Sequence, residues 1–352
     1  MPRALRGHTG LVTTTVSSVS RLGGDGTDNR TVVRAPLTHV PLSTTALPPL
    51  DTSIPAWPGE QMQAGGVRLH VRHTAGPDGT TALFVHGLGG SSTNWTDLAG
   101  QLSGQADGLS VDLPGSGRSV PDKSHPYTPE ASAALLADFV RGLDRGPVHL
   151  LGNSMGGAIA ILLAARVPDL VRTLTLISPA VPDLRPNIRR VSDPRLPLAF
   201  MPVVGARFRR AMAQLTPRER VMQVLELCYA DASTVSEARI AEAVEHFTEL
   251  QNHKWAGPAL ASSTVGLIRS WLVPRSRSLW TVARTINAPT LVVWGTDDRL
   301  VTVRKADRTA STFPRGRMLV LPRTGHVAQM ERPVTVARAV LGMWEAVERG
   351  EW

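Results

Sequence analysis

Gly152-Asn153-Ser154-Met155-Gly156 constrains this chain more than any other stretch, because it sets a serine at the junction of two apolar segments. Val148-His149-Leu150-Leu151 before it reads as a buried strand, and Gly157 through Ala165 after it reads as a small-residue helix. A strand, a Gly-x-Ser-x-Gly turn and a helix make the sharp elbow that lifts a serine hydroxyl above a sheet edge. Small residues at 152 and 156 let strand and helix approach closely enough for that turn. A serine held this way has little structural use, so the pattern points to a nucleophile.

The sequence around the elbow alternates between strands and helices. Val67 to Arg72 alternates like a half-buried antiparallel strand. Continuous apolar strands are expected at 80–85, 109–113, 148–151, 171–177, 290–294 and 317–321, with helices over 92–102, from Pro129, over 303–312 and over 333–348. Such alternation predicts an α/β fold, a mostly parallel sheet with helices on both faces. Residues 182–284 interrupt it with helical patterns at 217–230 and 235–252 and no clear strand, and are expected to form a helical cap over the site. The core is then 59–181 together with 285–352. Residues 1–58 are rich in Thr, Ser, Pro and Gly without a sustained period. They are expected to lack fixed structure, so that their deletion spares fold and activity. They carry no apolar stretch of a secretory signal, and Met62 is a plausible alternative start.

Length and composition narrow the class. A chain of 352 residues with 42% hydrophobic content can bury a sizeable core, and no apolar run approaches the ~18 residues of a membrane span. The single cysteine, Cys228, excludes an intramolecular disulfide and a cysteine-based zinc site; its apolar flank reads as a buried helix face rather than a reactive thiol. The net charge of +9 is carried mostly by scattered arginines, with a local excess over 183–220. No nucleic-acid-binding motif accompanies that excess, so it reads as a solvated basic face; attraction for anionic substrates or an acidic lipid surface is the functional alternative.

A serine hydroxyl is a poor nucleophile until a base takes its proton, and the base needs an acid to hold its tautomer. With an elbow, the expected chain order is serine, acid, histidine. Only His326 lies between residues 254 and 352, directly after the last strand, so it is the expected base. Asp297 and Asp298 follow the preceding strand and compete for the acid, with Asp183 as a third possibility.

His86-Gly87-Leu88-Gly89-Gly90, Asp112-Leu113-Pro114-Gly115-Ser116-Gly117, Gly152-Asn153-Ser154-Met155-Gly156-Gly157, Trp294-Gly295-Thr296-Asp297-Asp298 and Gly325-His326 occur in that order. Together they resemble the ordered signature of α/β-hydrolase-fold enzymes, over about residues 62–350. The resemblance implies that Asp298 is the acid and that the backbone N–H groups of Leu88 and Met155 form an oxyanion hole. It implies an anchoring role for His86. Epoxide hydrolases and haloalkane dehalogenases of this fold carry Asp at the elbow, unlike Ser154. The elbow is similar to that of C–C bond hydrolases acting on meta-cleavage products, which commonly have Trp where this chain has Val327. Perhydrolases and haloperoxidases typically have an aromatic residue where this chain has Leu88.

These readings converge on a cytoplasmic, carboxylesterase- or lipase-like serine hydrolase for esters of small to medium apolar acyl groups. The alternatives are a C–C bond hydrolase and a non-catalytic ligand-binding protein of the same fold. No cofactor, metal or nucleic-acid partner is expected, and membrane contact would be confined to the surface. The sequence leaves the oligomeric state open.

Overall fold

The expected strands assemble into one eight-stranded sheet in the computed structural model, which describes residues 39–121, 125–182 and 215–352. In chain order they are β1 (Gly59–Ala64), β2 (Val67–Thr74), β3 (Thr81–Val85), β4 (Asp107–Val111), β5 (Val148–Asn153), β6 (Val171–Ile177), β7 (Thr290–Gly295) and β8 (Gly316–Leu321). Their order across the sheet is β1-β2-β4-β3-β5-β6-β7-β8, antiparallel at β1–β2 and β2–β4 and parallel from β4 to β8. β1 escaped the sequence reading because Gly59-Glu60-Gln61-Met62-Gln63-Ala64 is a mostly exposed, polar edge strand in which only Met62 and Ala64 reach the core.

The helices are α1 (Thr96–Leu102), α2 (Pro129–Leu143), α3 (Met155–Arg166), α4 (Pro217–Cys228), α5 (Glu237–Gln251), α6 (Ala256–Trp271), α7 (Leu279–Ala283), α8 (Ala306–Thr312), α9 (Ala328–Glu331) and α10 (Pro333–Glu348). Two hydrophobic clusters lie on opposite faces of the sheet, one built with Leu83, Val85, Leu150 and Val292, the other with Ala82, Phe84, Leu151 and Val293. Alternate residues of one strand therefore serve different faces, which explains why the central strands are apolar throughout. α2, α3 and α7 pack on the first face; α1 and α10 pack together on the second. β3 lies between β4 and β5, so the connections leaving β3 and β5 diverge there, and ligands of open α/β sheets bind at such a point.

Between β6 and β7 the described residues form α4 to α7, in keeping with the helical patterns expected there; residues 183–214 lie outside the described part. α6 was not anticipated, because Gly257, Pro258 and Gly266 break its helical signature. Pro258 is tolerated because first-turn N–H groups lack intrahelical acceptors.

The expectation that residues 1–58 lack fixed structure fails for 39–58; residues 1–38 lie outside the described part. Ser43 donates its N–H to Arg338 O (2.9 Å), and the Arg338 guanidinium returns a bond to Ser43 O (2.9 Å). The Ser43 hydroxyl donates to the Glu345 carboxylate. Gln101 donates to Pro48 O and the Trp57 indole donates to Thr96 O, each at 2.9 Å. Polar side chains of α1 and α10 thus satisfy an extended segment that has no period of its own. Composition alone misses this kind of order.

Candidate active site

Ser154 joins β5 to α3 with φ 53° and ψ −118°, a conformation that L side chains rarely adopt. Three backbone bonds hold it: Ser154 N–H to Ile177 O (3.0 Å), Ala180 N–H to Ser154 O (2.8 Å) and Ala158 N–H to Ser154 O (3.2 Å). The flanking glycines are sterically required. A Cβ on Gly152 would lie 2.4 Å from Gly156 O, and one on Gly156 would lie 2.1 Å from Val85 O. The Ser154 hydroxyl does not cap α3 and has no hydrogen-bond partner among the described residues.

His326 follows β8, and its Nδ1 lies 2.9 Å from Asp298 Oδ2. The other Asp298 oxygen, Oδ1, accepts the N–H groups of Leu300 and Val301 at 2.8 Å each. Both side chains are almost wholly buried. An acceptor carboxylate at Nδ1 fixes the tautomer with its proton there and leaves Nε2 as the basic nitrogen. Asp297 points elsewhere. It is exposed and accepts only the Thr296 hydroxyl (3.0 Å) through its side chain. Asp183 lies outside the described residues.

Asn153 links the two halves of this arrangement. Its Nδ2 donates to His326 O and to Ile177 O, each at 3.1 Å, so the residue next to Ser154 is tied to the backbone of the histidine. The Ser154 and His326 side chains are not hydrogen-bonded to each other; nucleophile–base contacts often tighten only when substrate binds. Glu331 fastens the same loop from the other side, accepting Gly325 N–H (2.7 Å) and Ala230 N–H (3.3 Å) on Oε2. His326 N–H donates to Cys228 O (2.7 Å) at the end of α4. Asn153 and Glu331 were not singled out from sequence. A polar residue ending an apolar strand was a usable signal for Asn153; Glu331, in a short helix after the histidine, gave none.

The His86–Gly90 loop crosses the elbow. A Cβ on Gly87 would sit 3.1 Å from Ser154 Cβ, which brings the chain at Leu88 beside the serine. Met155 opens α3, so its N–H has no intrahelical acceptor. His86 is fully buried, donates from Nδ1 to Gly87 O (2.7 Å) and accepts Leu113 N–H on Nε2 (3.1 Å). Burial lowers its pKa against the opposing pull of Asp112, so it stays neutral and anchors the loop. Cys228 is half-buried, and burial, with the Asp298 charge second, pushes its thiol up to about 12. It keeps its proton.

A cavity of about 500 Å³ lies beside the histidine loop, lined by residues including Asp97, Tyr229, Arg239, Arg323 and Glu331. A second, of about 410 Å³, is lined by residues including Arg72, Arg118, Glu242 and His246. Ser154 lines neither, and neither couples a nucleophile to a base, so chemistry rather than volume marks the site. Among the described residues no group of three His, Cys, Asp or Glu side chains could hold a metal ion.

The family model described as alpha/beta hydrolase fold matches residues 82–333. A 2-hydroxy-6-oxononadienedioate/2-hydroxy-6-oxononatrienedioate hydrolase of Cupriavidus pinatubonensis is 27% identical over 78% of this chain and 89% of its own length. An esterase of Mycobacterium tuberculosis is 28% identical over 81% and 88%. The dihydrolipoyllysine-residue acetyltransferase component of the acetoin cleaving system of Cupriavidus necator is 27% identical over 76% of this chain, which spans 64% of that protein. Among solved structures, a putative lipase of Acinetobacter baumannii superposes with a TM-score of 0.68 at 22% identity, covering 83% of this chain and 92% of its own.

Proposed function

Because the chain belongs to the alpha/beta hydrolase fold family, we propose that it is a serine hydrolase that cleaves carboxylic esters through an acyl-enzyme. The observation that carries this reading is the strained Ser154 elbow, tied through Asn153 to a histidine whose Nδ1 rests on Asp298. Ser154 Oγ attacks the ester carbonyl carbon while its proton passes to His326 Nε2. Asp298 holds the tautomer and stabilises the imidazolium. The negative charge on the carbonyl oxygen is met by the Leu88 and Met155 N–H groups, each worth on the order of 10²–10³ in rate. Collapse expels the alcohol, protonated from Nε2; water then attacks the acyl-enzyme by the same route in reverse. The helices between β6 and β7 supply a cap whose apolar residues suit an acyl group of small to medium length.

A second reading is C–C bond hydrolysis of a 2-hydroxy-6-oxodienoate-type compound, favoured by the 27% identical relative named as a 2-hydroxy-6-oxononadienedioate/2-hydroxy-6-oxononatrienedioate hydrolase. Purified protein given p-nitrophenyl esters of graded acyl length and, separately, a 2-hydroxy-6-oxodienoate separates the two. Ester turnover dependent on Ser154 and exceeding dienoate cleavage is the expected outcome; the opposite ranking establishes the second reading.

A further inference from the structure

α6 is apolar on two faces. Its inner face, with Ala259, Gly266 and Leu267, is buried; a Cβ on Gly266 would lie 2.2 Å from Tyr127 O, and one on Gly115 would lie 2.6 Å from Ala259 Cβ. The outer face carries Ala261, Val265, Ile268 and, at the C-terminal cap, Leu272, spaced i, i+4, i+7 and i+11. That spacing aligns them in one stripe about 16 Å long. Val265, Ile268 and Leu272 are 46%, 48% and 65% exposed. Nothing in the core requires apolar residues there, and a surface helix ordinarily carries polar ones.

The charge of the sequence that carries and flanks the stripe indicates what covers it. Between Gln251 and Asp297 the sequence has no Asp or Glu, yet it has Lys254, Arg269, Arg275, Arg277 and Arg284. All five are exposed, and none forms an ion pair among the described residues. A second copy of the chain seated on this stripe would bring like charges together. An anionic lipid surface takes both features at once, the stripe entering the headgroup–acyl boundary and the cations resting on phosphates. α6 is also next to the proposed site. Leu260, on its edge, would touch a Cβ on Gly89 at 3.6 Å, in the loop that crosses Ser154.

We infer that the outer face of α6 docks the protein on an anionic lipid surface, which brings the loop at Gly89, next to Leu260, close to that surface. The inference goes beyond the proposed hydrolase activity, and its test reads binding, so either can fail alone. The full chain is sedimented with phosphatidylcholine vesicles with and without phosphatidylglycerol, at low and high salt. Salt-sensitive binding to the phosphatidylglycerol vesicles is expected. The V265S/I268S/L272S variant keeps every charge, and the R269Q/R275Q/R277Q variant keeps the stripe. Each should weaken binding by roughly tenfold or more while melting temperature and hydrolysis of a soluble short-chain ester hold. Undiminished binding by the serine variant would assign lipid attraction to charges elsewhere and overturn the proposal. So would wild-type protein that ignores anionic vesicles, or a wild-type dimer that the serine variant abolishes.

Discussion

Two Ser–His–Asp groupings among the described residues invite comparison, and the proposed function assigns chemistry to one of them. Near the end of β4, His70 Nδ1 lies 2.9 Å from Asp112 Oδ2, the same distance as His326 to Asp298, and Ser119 is alongside. There the serine hydroxyl and the carboxylate are fully engaged. Ser119 Oγ accepts His70 N–H (2.8 Å) and donates to Asp112 O (2.7 Å). Asp112 also accepts Ser92 N–H (2.6 Å) and Arg118 N–H (2.9 Å). Burial raises its pKa, but these bonds, that from His70 foremost, outweigh it and bring it to about 2. His70 Nε2 faces Gly59 of β1, where a Cβ would lie 2.5 Å from it. Ser154, by contrast, is strained, has no hydroxyl partner, and stands next to a histidine with one nitrogen left over. Saturation separates a structural grouping from a reactive one; residue type does not.

Substituting the two serines breaks the comparison most sharply. S154A should lower kcat for an ester by about 10⁴–10⁶ with the fold unchanged, since the covalent route is lost. S119A should leave kcat within about threefold per folded molecule. It should instead cost about 1–3 kcal/mol in urea unfolding, by orphaning the buried His70 N–H and Asp112 carbonyl. Equal activity losses would erase the distinction.

The acids extend the test with a somewhat smaller effect. D298N should cost about 10³–10⁴ in kcat by upsetting the histidine tautomer. D297N should stay within about twofold, because that carboxylate touches neither the histidine nor the core. D112N should act on stability and spare turnover of the folded fraction. Steady-state rates and denaturant midpoints for the three proteins decide the ranking.

Strands were legible where burial on both faces forces continuous apolar runs, as at Leu83 to Val85 and Leu291 to Trp294. Ser154 and His326 were legible because chain order and strand position leave few alternatives. What escaped detection depends on partners distant in sequence. Asp297 and Asp298 are identical in type, and the residues alone left the choice open; only the family resemblance pointed to Asp298, whose Oδ1 accepts the nearby Leu300 and Val301 N–H groups. Asn153 and Glu331 act on backbone atoms of the histidine loop; the end of an apolar strand hinted at the first, and no pattern announces the second. The segment 39–58 is ordered by Arg338, Glu345, Gln101 and Thr96, all far along the chain.

That last point gives a prediction of intermediate size. Extending an N-terminal truncation from residue 38 to residue 58 should cost roughly 3–5 kcal/mol, by stripping its bonds to α1 and α10. In thermal melts this is a drop of about 5–10 °C between the two truncated proteins. Coincident melts would return the segment to the unstructured class.

The smallest effect concerns a buried histidine with no acid at all. His149 stacks on Trp344 at 3.9 Å, and burial, followed by the Arg172 charge, lowers its pKa to about 3. The folded state therefore refuses a proton that the unfolded chain accepts below about 6.5. Stability is full above that value and falls as pH drops toward 3, by about 2 kcal/mol at pH 5. H149Q should flatten this acid limb in urea titrations.

The central claim is that reactivity follows the unsaturated grouping. It is tested most directly by treating the folded protein with a fluorophosphonate and mapping the adduct by peptide mass spectrometry. One adduct is expected, on Ser154, absent when His326 is replaced by Ala and unaffected by S119A. An adduct on Ser119, or a folded protein that takes up no reagent at Ser154, would contradict it.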